Sequence, residues 1–268
     1  MNINFAFIRH GYGCHNYLNN FSKEIREQYA DKVDPVLTSL GKKASKFNGS
    51  IVADTLKSLV FFTKDSRYTI NSMNVIGCSP LIRCMETAYY MTRDWINPPK
   101  KIYIFPFLRE IDEGSDDKYS QISRHHIDTL SSYAMTTLHE QKEYLQSQGI
   151  LDFFDFSFIE LYFKERKEPG DIPTFIKWFS KSFLPLVEVR PNLNVFITTH
   201  SGVLHDFIKT ERFYNNSGLV VNATFSRGDP SINKVVSLNN YLPSTFFIDY
   251  TNPKYKICSD NHCGFNFC

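Results

Sequence analysis

Short apolar runs alternate with longer segments of helical periodicity along this chain. Such runs are typical of buried strands, and the amphipathic segments between them are typical of helices that cover a sheet. The predicted strands are NFAFI (4–8), NVIGCS (74–79), KIYIFPFL (101–108), NVFITT (194–199), GLVVNATF (218–225), NKVVSL (233–238) and TFFIDY (245–250). The predicted helices cover 37–62, Pro80 to about Trp95, most of 118–148, 172–189 and 202–210. This alternation predicts an α/β fold, a three-layer α/β/α sandwich around a mostly parallel central sheet.

The chain carries no internal repeat and no Gly/Ser-rich linker, so we expect a single domain over residues 1–268. The region from about 115 to 185 is expected to be an inserted helical cap that sets specificity. Its aromatic segment FFDFSFIELYF (153–163) is interpreted as the core face of this insert. An exposed segment would instead be an oligomer contact, which leaves a homo-oligomer open.

Composition and charge exclude several classes of function. The hydrophobic fraction of 42% and the charged fraction of 22% are ordinary for a globular protein. The formal charge of +2 disfavours general nucleic-acid binding, which needs many basic side chains on one face. The N-terminus lacks the pattern of a secretory signal, and no run is long enough to cross a bilayer. We therefore expect a cytoplasmic protein with neither nucleic-acid nor membrane partners.

A cytoplasmic location predicts that the six cysteines are thiols. Cys14, four residues after His10, is interpreted as an incidental thiol. The C-terminal tail contains three cysteines and a histidine, namely Cys258, His262, Cys263 and Cys268. Their spacing is not a common zinc pattern, so we expect a loosely ordered tail without metal.

Three predicted strands end on reactive or cationic side chains. Ligands of open α/β sheets bind beyond the carboxyl ends of the strands, so we expect these side chains to converge. Ser79 is also expected to be the N-cap of the helix that follows the second strand. Two helix N-termini, two arginines and two histidines at one edge would attract a dianion. The side chains at this edge are Arg9, His10, Ser79, Arg83 and His200.

These residues fall into five motifs whose order and spacing resemble the histidine phosphatase superfamily, also called the phosphoglycerate mutase-like family. The resemblance spans most of the chain. The matching residues are Arg9, His10, Gly11 and Asn16; Asp34, Leu37, Thr38 and Gly41; Ser79, Pro80, Arg83, Thr87 and Ala88; Leu108, Glu110 and Gly114; and His200 in TTHSG.

The resemblance implies a phosphohistidine mechanism. His10 would be the nucleophile, with its other ring nitrogen donating to a backbone carbonyl. Glu110 would be the general acid and then the base, although Asp112 and Glu113 lie close enough to take its place. The remaining residues would hold the phosphate: Arg9, Arg83 and His200 at the phosphoryl oxygens, with Asn16, Gly11 and the N–H of Ser201 as further substrate contacts. No metal or cofactor is implied, because arginines supply the positive charge.

The stretch after Glu110 separates phosphatases from mutases in this family. Cofactor-dependent mutases usually carry an Arg directly after the acid and a Tyr three residues past it, where this chain has Ile111 and Glu113. The acidic continuation GSDDKYSQ disfavours a small, acidic substrate such as phosphoglycerate. We therefore expect a phosphatase for a phosphorylated small molecule or phosphoprotein. A mutase-type phosphotransferase and a non-catalytic phosphate-binding module are the alternatives.

Overall fold

The computed structural model describes residues 1–18, 21–22, 24–25, 34–59, 73–95, 98, 100–110, 136–160, 171–187, 192–209, 213–226, 229–247, 259–260 and 263–266. In these residues the strands are β1 (Asn2–Arg9), β2 (Met73–Cys78), β3 (Ile102–Ile104), β4 (Phe154–Asp155), β5 (Asn192–Thr199), β6 (Gly218–Thr224), β7 (Ser231–Ser237), β8 (Ser259–Asp260) and β9 (Phe265–Asn266). The α-helices are α1 (Cys14–Leu18), α2 (Ser39–Ser58), α3 (Ile82–Thr92), α4 (Leu138–Ser147), α5 (Ser157–Glu160), α6 (Ile172–Trp178) and α7 (Ser201–Phe207).

Seven strands form one sheet in the order β4-β3-β2-β5-β1-β6-β7. The pairs from β4 across to β1 are parallel, whereas β6 is antiparallel to both β1 and β7. The predicted α/β class and the mostly parallel sheet are thereby confirmed. The carboxyl ends of β1, β2 and β5, three neighbouring strands, lie at the same edge.

Alternate residues of β1 enter two separate hydrophobic cores, one on each face of the sheet. Phe5 and Phe7 pack into one core, which contains apolar residues of α6 and α7. Ala6 and Ile8 pack into the other core, which contains residues of α2, α3 and α4. Helices therefore cover both faces, as the three-layer prediction requires. β1 is the central support of the edge that carries the site.

A row of asparagines crosses five strands at the opposite end of the sheet. Asn4 on β1 donates to Asn194 on β5 (2.9 Å) and accepts from Asn222 on β6 (2.7 Å). Asn222 in turn accepts from Asn233, the bulge residue of β7, and the backbone N–H of Asn194 donates to Asn74 on β2. Asn4, Asn194 and Asn222 are buried, so these bonds satisfy polar groups that water does not reach.

Two predicted strands differ from the structure. The strand expected over 101–108 ends after Ile104, and the chain then turns at Pro106, whose missing N–H cannot extend a ladder. The described part of 245–250 belongs to a 3₁₀ turn, Ser244–Phe246, and 248–250 lie outside the described residues. Phe246 is buried from this turn, so its apolar character reflects core packing.

The aromatic segment 153–163 contains a strand that the sequence did not predict. β4 pairs in parallel with β3 at the edge of the central sheet, and α5 follows it. Further along, α6 begins at its predicted proline, with the Asp171 side chain as N-cap acceptor. The described residues between 136 and 187 thus contribute to the sheet and its cores. The predicted cap stays a prediction, because 111–135 lie outside the described residues.

A disulfide joins the first helix to the C-terminal tail. Cys14 on α1 is bonded to Cys263, 249 residues further along the chain. The prediction that all cysteines are thiols is therefore wrong for this pair, whereas Cys78 and Cys84 are free and buried. Disulfides are typical of oxidising compartments and rare in the cytosol, so the predicted cytoplasmic location stays a prediction.

The tail around the disulfide is ordered where the structure describes it. β8 and β9 form a small antiparallel hairpin, and Asp260 accepts hydrogen bonds from the N–H groups of Ser39 and Cys263. The expectation of a loosely ordered tail is wrong for these residues. The sequence missed this because a cysteine's partner cannot be deduced from spacing alone. None of the helices described is long and apolar enough to span a membrane.

Candidate active site

The carboxyl end of β1 fixes the orientation of His10. The backbone N–H of His10 donates to the carbonyl of Thr199 (2.8 Å), which continues the β1–β5 ladder. Nδ1 of His10 lies 2.7 Å from the carbonyl oxygen of Gly11. Because a carbonyl only accepts, Nδ1 carries the proton, and the lone pair is on Nε2. The predicted bond to a backbone carbonyl is therefore present.

His200 follows β5 and lies next to His10, with their ring centroids 5.3 Å apart. Arg83 Nη2 donates to His200 Nδ1 (3.2 Å), so the proton of the neutral ring is on Nε2. That N–H donates to Ser79 Oγ at 2.8 Å. The predicted N-cap role of Ser79 is wrong: α3 begins later, at Ile82 with Leu81 as N-cap, and the Ser79 hydroxyl orients His200 instead.

Burial is the main cause that keeps both imidazoles neutral. It lowers the pKa of His10 and of His200 well below 6.5, and the positive charge of Arg83 is the next largest cause for each. Both side chains are almost fully enclosed. A neutral His10 is the form required of a nucleophile.

Glu110 is held beside the two histidines from the loop after β3. Its Oε1 accepts from the backbone N–H of Gly202 in the first turn of α7 (3.1 Å), and its Oε2 lies 3.6 Å from His200 Nδ1. One nitrogen each from His10 and His200 and one Glu110 oxygen lie within 4.8 Å of one another. The structure thus brings the predicted acid to the predicted nucleophile. Asp112 and Glu113 lie outside the described residues.

Two arginines, Arg9 and Arg83, supply the positive charge that the sequence predicts for the site. Arg83 is fully buried on α3, and Arg9 donates from Nη1 to the carbonyl of Phe213 (2.7 Å). The charges of Arg83, Arg9 and Arg109 all act to lower the pKa of His200. Two imidazoles and a carboxylate are also the donor types of a zinc site, but these positive charges favour an anion over a metal cation.

The predicted substrate contacts Gly11, Asn16 and Ser201 lie around this pocket with different local partners. The N–H of Gly11 donates to Thr87 Oγ1, and a Cβ at Gly11 would come within 2.3 Å of Ser45 Oγ. Glycine here permits close packing against α2, a reason that the sequence did not indicate. Asn16 Oδ1 accepts from the N–H of Gly13, and Ser201 is the first residue of α7. Their contacts with substrate stay predictions.

Two residues that sequence reasoning missed also lie at the pocket. Asn215 Nδ2 donates to the carbonyls of His10 (3.0 Å) and Gly11 (3.1 Å), which holds the loop that carries His10. The ring centroid of His15, on α1, lies 5.3 Å from that of His10. His15 directly precedes Asn16 of the first motif, but the motif itself does not include it. Asn215 gives no signal in the sequence, because only the fold brings it to β1.

Comparison with known proteins finds similarity to solved structures and to no others. No protein-family model matches the chain, and no curated protein matches it. The phosphoserine phosphatase of Entamoeba histolytica, solved with 3-phosphoglyceric acid, is 16% identical over 90% of this chain and 100% of its own, with a TM-score of 0.42. The phosphoglycerate mutase of Bacillus anthracis is 15% identical over 87% of this chain and 92% of its own, with a TM-score of 0.41.

A mycobacterial glucosyl-3-phosphoglycerate phosphatase, solved with VO3, is 13% identical over 86% of this chain and 96% of its own, with a TM-score of 0.39. These structures are of histidine phosphatase superfamily members, the superfamily that the motifs resemble.

Proposed function

We propose that this chain is a phosphomonoester hydrolase that works through a phosphohistidine on His10. The tautomer of His10 supports the proposal most directly. Its Nδ1–H is held by the Gly11 carbonyl, so the lone pair of Nε2 is available inside a pocket of positive charge. An acid, Glu110, lies within reach of the same pocket.

In the first step, the lone pair of His10 Nε2 attacks the phosphorus atom and forms an N–P bond. The bond between phosphorus and the leaving oxygen breaks, and this oxygen takes a proton from the Glu110 carboxyl group. The hydrogen bond from Gly202 to Oε1 fixes the carboxyl group while Oε2 lies near His200. Fixed geometry of this kind lowers the entropic cost of proton transfer.

In the second step, water attacks the phosphorus atom of the phosphohistidine. The Glu110 carboxylate takes a proton from this water, the N–P bond breaks, and inorganic phosphate leaves. The electron pair of that bond returns to Nε2, which restores neutral His10. Arg83 and Arg9 stabilise the charge on the phosphoryl oxygens in both steps, and losing one such group typically costs about 2.7–4 kcal/mol of barrier.

The choice of a phosphatase rests on the sequence after Glu110. Where mutases of this family carry a basic residue and a tyrosine, this chain carries Ile111 and Glu113. The acidic sequence that follows Glu110 disfavours a small acidic substrate such as phosphoglycerate. The substrate is therefore proposed to be a phosphorylated small molecule or phosphoprotein with a less acidic leaving group.

The test is release of phosphate from p-nitrophenyl phosphate by the wild type and by His10→Ala, at equal concentration of folded protein. A matched control is His139→Ala, because His139 is an exposed histidine far along the chain on α4. We expect activity in the wild type and the control and none in His10→Ala. Acid-labile phosphate trapped on the wild type alone would identify the phosphohistidine.

Three results would overturn the proposal. Full activity in His10→Ala would exclude His10 as the nucleophile. Transfer between the 2- and 3-positions of phosphoglycerate, dependent on 2,3-bisphosphoglycerate and faster than hydrolysis, would make the chain a mutase. Binding of phosphate without turnover of any phosphomonoester would make it a binding module.

A further inference from the structure

A third imidazole belongs to the histidine cluster of the pocket. The ring centroid of His15 lies 5.3 Å from that of His10, the same separation as between His10 and His200. A positive charge on His15 would lower the pKa of His200 more than the charge of Arg9 does. His15 therefore lies beside His10, although it is in none of the five motifs.

One ring nitrogen of His15 differs from the nitrogens that orient His10 and His200. Nδ1 of His15 is enclosed, and no partner for it lies within hydrogen-bonding distance in the part of the chain that the structure describes. By contrast, Nδ1 of His10 is bonded to Gly11, and both nitrogens of His200 have partners. Enclosing a polar atom without a partner costs free energy that a ligand recovers when it supplies one.

The position of this ring is set by the backbone beneath it. A Cβ on Gly13 would come within 2.7 Å of Cε1 and 2.8 Å of Nδ1 of His15, so the ring lies directly against a glycine. The N–H of Gly13 donates to Asn16 Oδ1, and Cys14 is tied to Cys263. The start of α1 is thus held on both sides of His15, which makes its ring a fixed group.

The charges around His15 suit a neutral hydrogen-bond donor. Burial lowers its pKa well below 6.5, followed by the charges of Arg83 and Arg9. A neutral imidazole adds a donor to the pocket without adding repulsion against these guanidinium groups. The oxygens of a phosphomonoester dianion are strong acceptors, so a neutral N–H donor beside two arginines suits them.

We propose that His15 is a phosphoryl-binding imidazole, whose Nδ1–H donates to a nonbridging oxygen of the substrate beside Arg9 and Arg83. The inference rests on the proposed function and adds a substrate-binding residue to it.

The test compares three substitutions that differ in which nitrogen they replace. In His15→Asn the amide nitrogen reaches the place of Nδ1, in His15→Gln it reaches the place of Nε2, and His15→Ala has neither. The readouts are the Kd of inorganic phosphate and of orthovanadate by calorimetry, and KM and kcat for p-nitrophenyl phosphate. We expect His15→Ala and His15→Gln to raise the Kd of phosphate about tenfold or more, and His15→Asn to stay within about threefold.

His139→Ala serves as the matched control. His139 is exposed, so removal of its imidazole leaves the pocket intact. Unchanged phosphate affinity in His15→Ala, with a wild type that binds and hydrolyses, overturns the role of His15 alone. Equal loss in His15→Asn and His15→Ala together with a lower Tm in both would make the role structural and also overturn it. A wild type that neither binds vanadate nor hydrolyses any phosphomonoester overturns the proposed function itself.

Discussion

Arg83 Nη2 lies 3.2 Å from Nδ1 of His200, and both side chains are fully buried. A guanidinium group only donates, so this contact places the proton of the neutral His200 ring on Nε2, facing Ser79. His200 is therefore oriented by Arg83, which lies on α3, and by Ser79, which lies in the loop between β2 and α3. Its geometry depends on both Ser79 and Arg83.

Ser79→Ala is expected to lower kcat/KM for p-nitrophenyl phosphate. The buried Nε2–H of His200 would lose its oxygen acceptor and keep only the weak sulfur acceptor of Cys84 (3.4 Å), a loss worth about 1–3 kcal/mol, or about fivefold to 150-fold in rate. Steady-state kinetics measure the effect. Ser50→Ala is the matched control, because Ser50 lies on α2 and bonds only the carbonyl of Phe47 in the described contacts. Wild-type kinetics in Ser79→Ala would contradict the role assigned to this hydroxyl.

Stability is expected to fall as the pH drops below about 6.5. The pKa values of His10, His15 and His200 are lowered in the folded state, chiefly by burial, from an ordinary value of 6.5. Below pH 6.5 the unfolded chain therefore binds protons that the folded chain does not, which favours unfolding. Well above pH 6.5 the three imidazoles are neutral in both the folded and the unfolded state, so their contribution to the free energy of unfolding does not change with pH.

Asp34 acts in the opposite direction over part of this range. Burial raises its pKa from 3.8 to about 6, so between these values the folded state binds the extra proton and gains stability as the pH falls. With three histidines against one carboxyl group, we expect Tm to decrease from pH 7 to pH 5. Thermal unfolding of the wild type and of His10→Asn measures this, and the variant should show the shallower decrease. A Tm that is flat or rises toward pH 5 would show that these imidazoles are not neutral when folded.

Loss of the Cys14–Cys263 disulfide is expected to destabilise the protein. Removing a native disulfide typically costs about 2–5 kcal/mol, partly because the unfolded chain is no longer closed into a loop. Urea unfolding of the wild type with and without dithiothreitol, alongside Cys263→Ser, measures the free energy of unfolding. The reductant should weaken the wild type to the level of the variant and leave the variant unchanged. Equal stability of oxidised wild type and Cys263→Ser would contradict the bond.

Asn4→Ala is expected to lower stability while leaving the turnover of folded molecules unchanged. The substitution removes one acceptor and one donor from the asparagine row, which leaves partners on Asn194 and Asn222 less satisfied and costs about 1–3 kcal/mol. Arg9 lies five residues further along β1, about 16 Å away at a rise of about 3.3 Å per residue. Urea unfolding and kcat are the measurements.

Thr224→Val provides the comparison for the asparagine row. Thr224 bonds Asn2 and Asn233 at the exposed end of the row, where the effect of a substitution is usually within about 0.5 kcal/mol. If Asn4→Ala were no more destabilising than Thr224→Val, the buried hydrogen bonds would contribute nothing to stability. If kcat of Asn4→Ala fell together with its stability, the asparagine row would affect the active site.

The sequence predicted those parts of the site that lie directly at strand ends. His10 and His200 each follow a strand of clear apolar pattern, so topology alone placed them together. Glu110 came from the resemblance, because it lies six residues beyond the short strand β3 and no periodicity positions it. The structure places it beside His200 through a bond to the backbone of Gly202.

Long-range partners were the part that the sequence could not supply. Asn215, Ser79 and the Cys14–Cys263 disulfide all act on residues distant along the chain, and local propensity carries no information on such pairs. The edge strand β4 was missed for a similar reason. Its two residues are strand only because β3 pairs with them.

The position of β1 in the middle of the sheet has a consequence for biosynthesis. Asn2 is paired with Asn192 on one side and with Thr224 on the other, so β1 leaves the ribosome long before either of the strands that it pairs with. Until then Phe5 and Phe7 have no sheet to pack in, which exposes the nascent chain to aggregation. His10, the proposed nucleophile, is therefore translated well before β6, the strand that completes the support of β1.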